Sequence, residues 1–202
     1  MKVELGDGAR RRYTLRARAD AAEQTAERVM DAAITLWRAE PFEQITLQQI
    51  ADRAGVSLST VMRRFGSKDG LVEAVLLSDR VRTQASRDAI AVGDVAAAVR
   101  MIVADYELNG DAVIRMLALE DRIEAVRRVV TAGRVAHERW VQRVFAPLLG
   151  PTGERRARTL QLVVATDVYT WKLLRRDRQL AAEEAGSVME DLCLRVVGGG
   201  DR

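Results

Sequence analysis

Histidine and cysteine each occur once among the 202 residues, as His137 and Cys193, and proline occurs only three times. Each scarcity excludes something. A metal centre needs three or four ligating side chains at close spacing, and one histidine far from one cysteine does not supply them. Covalent catalysis needs a nucleophile with its base, and acid–base catalysis needs positioned titratable groups. The acidic pairs Glu120-Asp121 and Glu183-Glu184 are adjacent, diverge on a helix and read as solvated ends. No glycine loop of the phosphate-cradling kind is present, because Gly198-Gly199-Gly200 precedes no helix. The chain is therefore not read as an enzyme, and no cofactor or metal is expected. A lone cysteine forms no internal disulfide, which suits a reducing, cytoplasmic setting. No apolar run approaches the roughly 18 residues that span a bilayer. The arginine-rich amino terminus is followed by no apolar segment of the kind a secretion signal carries, so no membrane partner is expected.

What is present is helical patterning from end to end. Hydrophobic residues make up 48% and charged residues 30%, and no stretch alternates as a half-buried strand does. The fold expected is all-α, with enough chain to bury a sizeable core. The net charge is only +3, but Arg10, Arg11, Arg12, Arg16 and Arg18 form a cluster free of acids. Residues 1–20 show no apolar periodicity and are read as a flexible basic arm. From residue 21, Ala22, Ala26, Val29, Met30, Ala33, Ile34 and Trp37 recur at three- and four-residue spacings, an amphipathic helix that Pro41 stops. Thr46, with Gln49 three residues on, is a capping box that opens a second helix.

The segment from Thr46 to Leu71 carries the chemistry. Leu47, Ile50 and Ala51 share an apolar face, Gly55 follows Ala51 by four residues and Val61 follows it by ten. A small Ala51 permits a close helix crossing, Gly55 suits the positive-φ corner after a helix end, and Val56 and Val61 fill the angle between helices. That is the helix-turn-helix pattern, whose second helix enters the DNA major groove. The outward residues of that helix are Ser57, Ser59, Thr60, Arg63 and Arg64, with Lys68 beyond, and no acid lies between Arg53 and Asp69. Hydroxyls bond phosphates or base edges, and arginine grips guanine with two bonds. Ser57 also reads as an N-cap, a role it fills with or without DNA. Arg63 and Arg64 are expected to read bases, and Thr46 and Lys68 to hold phosphates.

Residues 25–75 resemble the DNA-binding domain of the TetR family of bacterial transcription regulators. The likeness rests on RVMDAAITLW, on Phe42 in the connection, on ITLQQIADRAGVS and on FGSKDGL. It covers about a quarter of the chain, and the rest is similar to the family in length and helical character only. The chain departs from the family at Met62, where tyrosine is common, at Leu58, where a basic residue is frequent, and at Pro41, where glycine is usual. The resemblance implies a three-helix DNA-binding domain over 21–67, followed by a helical effector-binding and dimerisation domain over 68–197, and the glycine run Gly198-Gly199-Gly200 marks 198–202 as a disordered tail. It also implies a homodimer on a palindromic operator, a repressor released by an unidentified small-molecule effector. A regulator without an effector, controlled by a protein partner or by abundance, is the alternative. The arm at 1–20 would be a solvated tail or a segment laying arginines along the duplex.

Beyond Gly93 the spacing predicts helices over 95–108, from Asp111 to about 119, from 120 to about 145, over 154–177 and over 181–197. The 154–177 helix is apolar around most of its circumference. Leu160, Val163, Val164, Val168 and Trp171 make one face, and Leu162, Ala165, Tyr169 and Leu173 make the other. A helix buried from two sides needs two covers, so it is expected to pair, with the 181–197 helix, against a second subunit. Along the 120–145 helix the inward stripe reads Ile123, Val126, Val130, Gly133, His137, Val141 and Val144. A mid-helix glycine costs about 1 kcal/mol against alanine and needs a reason, either close packing or room for a ligand. Met101, Tyr106, Met116, His137 and Trp140 are the expected lining of an effector pocket.

Overall fold

The computed structural model describes the backbone of residues 7–199 and the side chains of 16–75, 77–78 and 83–199. Every regular element among these residues is helical. The chain forms two compact units that divide between Val75 and Leu76. The division falls inside a helix, α4 (Lys68–Asp88), and not at its start as the sequence boundary at residue 67 implied.

The first unit contains α1 (Asp7–Ala39), a 3-10 turn at Phe42–Gln44, α2 (Leu47–Ala54), α3 (Leu58–Phe65) and the beginning of α4. Its core is built from Ala26, Val29, Ala33 and Trp37 of α1 with Ile50, Ala51, Val61 and Leu71, all buried. The capping box at Thr46 is formed, with Thr46 accepting from the Gln49 amide and the Gln49 side chain accepting from the Thr46 amide. Gly55 adopts φ +66° at the end of α2, the left-handed corner that turns the chain into α3. The edge of the Trp37 ring packs on Phe42 at 5.7 Å between centroids, which fixes the connection after α1.

The expected arm at 1–20 is corrected from Asp7 onward. Residues 7–20 continue α1, including Arg10, Arg11, Arg12, Arg16 and Arg18. Arginine, alanine and leucine are strong helix formers, and a nucleated helix lengthens at little cost, so apolar periodicity is not required there. Residues 1–6 lie outside the described residues.

The second unit contains the rest of α4, then α5 (Val95–Leu117), α6 (Glu124–Val144), α7 (Thr152–Ala165), α8 (Val168–Lys172), a π-turn at Leu173–Asp177 and α9 (Ala182–Gly198). Ile102 and Tyr106 from α5, Trp140, Val141 and Val144 from α6, Leu162 from α7, Trp171 from α8, and Met189 and Cys193 from α9 form one core. Burial pushes the Cys193 thiol up to about 12, so it packs as a small apolar group. Of the tail expected at 198–202, Gly198 closes α9, and residues 200–202 lie outside the described residues.

Three expectations are corrected here. Asn109-Gly110 does not end a helix, because α5 runs through it to Leu117. Asn109 bonds back to Asp105 at 2.7 Å, and Gly110 lies against the Trp171 ring, where a Cβ would meet three ring carbons closer than 3.0 Å. The 154–177 segment is not one helix. Thr166 donates its hydroxyl to the Leu162 carbonyl at 2.7 Å, and Asp167 caps α8 by accepting from the Tyr169 amide at 2.8 Å. The break shifts the register, so Leu162, Ala165, Val168 and Trp171 face the unit's own core, while Leu160, Val164, Tyr169 and Leu173 stay exposed. Gly133, finally, is exposed, with open space where its Cβ would be, so no close packing within this chain calls for it.

Candidate nucleic-acid interface

Helix α3 presents its side chains in rows. Val61 is buried against the first unit's core and Phe65 is half-buried beside it. Ser59 and Arg63 are exposed on the outer row. Ser57 caps the helix, its oxygen accepting from the Thr60 amide at 3.2 Å and lying 2.9 Å from both the Ser59 and Thr60 hydroxyls. These three hydroxyls therefore form one cluster at the amino end of α3, where the helix dipole also favours an anion. Thr46 caps α2, and its hydroxyl donates to the Gln49 side chain at 2.9 Å. A phosphate only accepts, so Ser57, Ser59 and Thr60 would reach one through hydroxyl protons, and Thr46 would do so by exchanging its bond to Gln49 for one to the phosphate.

The two arginines differ. Arg63 is exposed and no described carboxylate holds it. Arg64 donates to Glu23 of α1 at 2.9 Å, with both side chains about half exposed. A groove of about 500 Å³ lies between α1 and α3, lined by Ala22, Thr25, Ala26, Val29, Thr60 and Arg63 among others. Glu23 escaped the sequence reading because its partner lies 41 residues away, and no local spacing announces such a pair.

Lys68 is placed differently from expectation. Its ammonium donates to the Phe42 carbonyl at 2.5 Å and sits 4.1 Å from the centre of the Phe42 ring. Burial lowers its pKa, against the opposing pull of Glu43 and Asp69. The cation thus ties the amino end of α4 to the turn after α1. Leu58 and Met62, the two positions where apolar residues replace polar ones, are 37% and 44% exposed on α3. An exposed apolar pair one turn apart is of a kind that suits thymine methyl groups where a helix enters a major groove.

In the second unit the structure brings together three of the five expected effector residues. Tyr106 donates its hydroxyl to the Thr166 carbonyl at 3.1 Å, and His137 Nε2 lies 3.0 Å from the Thr166 hydroxyl oxygen. The His137 and Trp140 rings are 5.5 Å apart. All three are buried. Met101 packs on the edge of the same core, and Met116 is half-buried near the end of α5. Burial, with a smaller contribution from the Arg87 charge, lowers the His137 pKa to about 4.

The comparisons with known proteins decide what the first unit is. Residues 29–75 match the family described as bacterial regulatory proteins, tetR family. The amino-terminal domain belongs to the TetR family. Over 52 residues the chain is 42% identical to the uncharacterized HTH-type transcriptional regulator YvkB of Bacillus subtilis, a stretch spanning 26% of this chain and 28% of that protein. Solved structures similar to nearly the whole chain include GusR of Salmonella enterica, with a TM-score of 0.68, 18% identity and coverage of 86% of this chain and 95% of that one. A TetR transcription regulator of Haloarcula marismortui gives a TM-score of 0.66 at 18% identity, covering 88% and 98%. At such identity these two show the fold and no more. The Bacillus and Haloarcula proteins are named as transcription regulators. Among the described residues no helix is long and apolar enough to cross a membrane.

Proposed function

We propose that the chain is a transcriptional regulator that binds a palindromic operator as a homodimer, represses, and is released by a small-molecule effector. The acid-free hydroxyl and arginine face of α3, within a domain of the TetR family, carries this reading. Two copies of α3 would enter successive major grooves, with Arg63 on base edges and the Ser57, Ser59 and Thr60 cluster and Thr46 on phosphates. Dimerisation through α7–α9 is supported by Leu160, Val164, Tyr169, Leu173 and Leu192, apolar side chains that one copy leaves 40–65% exposed. The effector would bind the second unit and shift the dimer between two head spacings, which needs only a few kcal/mol of differential affinity. A gel-shift titration against the DNA upstream of the chain's own gene tests the reading. Saturable binding to one palindromic fragment, competed poorly by unrelated duplex, is expected. Equal affinity for every duplex would remove it.

A further inference from the structure

Arg87 lies near the end of α4 with its guanidinium 5.4 Å from the centre of the Trp140 ring, and no described carboxylate pairs with it. Its Nε atom is buried and makes no hydrogen bond. The same is true of Trp140 Nε1 and His137 Nδ1, on side chains 2% and 8% exposed. The guanidinium and the imidazole that carry two of these atoms lie 5.4 and 5.5 Å from the Trp140 ring, which carries the third. Buried polar groups are nearly always satisfied, and exceptions call for a reason.

The tautomer of His137 follows from its neighbours. The Thr166 hydroxyl spends its proton on the Leu162 carbonyl at 2.7 Å, so at 3.0 Å it accepts from His137 Nε2. The imidazole is neutral, and Nδ1 is left as a bare acceptor. Around Trp140 the protein therefore offers a cation with a free N–H, an indole N–H and one acceptor. The charge of Arg87 also reaches the Tyr106 hydroxyl, where burial raises the pKa and the cation works against it.

We propose that the Arg87–Trp140–His137 cluster binds a small organic carboxylate, with the anion on Arg87 and the indole N–H and the apolar body against the Trp140 ring. The proposal rests on the effector reading above and supplies its chemical class. Half-buried cations are stabilised by a counter-ion, and guanidinium holds a carboxylate in two-bond geometry. Among the described residues no carboxylate is paired with Arg87, and Asp88, its sequence neighbour, approaches Arg143 at 4.0 Å. Because Arg87 sits on the helix that starts at Lys68 in the DNA-binding unit, a ligand held there acts on an element shared by both units.

The experiment uses the full chain with benzoate and octanoate as probes and benzamide and octanamide as their neutral counterparts. Isothermal titration and thermal shift read binding, and release of the bound operator fragment reads response. At least one carboxylate is expected to bind saturably, with its amide weaker by roughly tenfold to a hundredfold, the loss of a charged hydrogen bond. Arg87→Gln should lose the preference for the acid over the amide, and Arg87→Lys should keep part of it. Amides binding as well as acids, an Arg87→Gln protein that still prefers the acid, or no saturable carboxylate binding would each overturn the anion site. If amides bind and release DNA, the effector reading survives without this ligand class. A carboxylate that binds through Arg87 without releasing DNA keeps the site and removes the effector reading.

Discussion

Arg64 of the recognition helix donates to Glu23 of α1 across 2.9 Å, so one of its two arginines is held by an acid from outside the motif. The pair is exposed and contributes at most about 1 kcal/mol to stability. Its consequence for DNA is larger, because a duplex must compete with Glu23 for Arg64. Glu23→Gln should leave the fold intact and raise affinity for any sequence. The slope of log K against log salt should steepen by about 1 for each Arg64 released onto a phosphate. Anisotropy titrations at several salt concentrations check this, and an unchanged slope would mean that Arg64 stays off the phosphates.

Lys68 has exchanged the surface for Phe42. With its ammonium bonded to a carbonyl and placed over an aromatic ring, it serves the turn after α1. Lys68→Met keeps the stem and removes the charge. The expected cost to the DNA-binding unit is about 1–3 kcal/mol from the lost charged hydrogen bond and ring contact. The salt slope of DNA binding should stay where it was. A stable Lys68→Met protein with a slope lower by about 1 per subunit would return Lys68 to the phosphates.

The first unit was legible in the sequence because its geometry is set locally. A capping box, a glycine at φ +66° and an alanine at a crossing act over four or five residues, and each is where the spacing put it. The second unit was less legible because its determinants are distant. Gly110 reads as a helix stop in one dimension, and only the Trp171 ring, 61 residues on, explains it. Thr166-Asp167 reads as helix interior, and only the hydroxyl bond to Leu162 and the cap on Tyr169 mark the break. The exposed hydroxyl and arginine face of α3 was readable from spacing, whereas the engagement of Arg64 by Glu23 and of Lys68 by Phe42 was not.

The two mid-helix glycines should respond oppositely to alanine. At Gly110 the new Cβ meets the ring of fully buried Trp171, and overpacking of this kind costs about 1–3 kcal/mol. At Gly133 the Cβ enters open space, and alanine should stabilise the helix by about 0.5–1 kcal/mol. Urea denaturation of the two variants separates them. Destabilisation by Gly133→Ala would mean that a second subunit or a ligand approaches α6 there.

His137 gives the second unit a pH dependence whose sign follows from burial. Burial, assisted by the Arg87 charge, lowers its folded pKa to about 4 from the ordinary 6.5. The unfolded chain therefore binds the proton first as pH falls. The contribution is fully present above about pH 6.5 and drains away towards pH 4, and about 2 kcal/mol of it should be gone by pH 5. His137→Gln, measured beside the parent at pH 7 and pH 5, isolates this from the carboxylates that titrate over the same range. The parent should lose about 2 kcal/mol more than the variant between the two pH values. Equal losses would show that His137 is not held neutral.

Covering of the α7–α9 surface by a second copy is tested at Val164. Trp171, which the sequence placed on the shared face, is fully buried in its own unit, where its indole N–H donates to Glu107 at 2.7 Å. A charge at Trp171 would therefore break the fold and say nothing about assembly. Val164 is 65% exposed on α7, with Leu160 at 50% one turn before it. Glutamate at position 164 costs a monomer little, because it meets water. In a dimer interface it is a buried charge without a partner, which is strongly unfavourable. Val164→Glu should keep the helical circular dichroism of the parent and elute as a monomer by size exclusion with light scattering. Its operator affinity should also fall, since two half-sites are then no longer bound by one particle. A Val164→Glu protein that remains a dimer at micromolar concentration would move the interface away from α7.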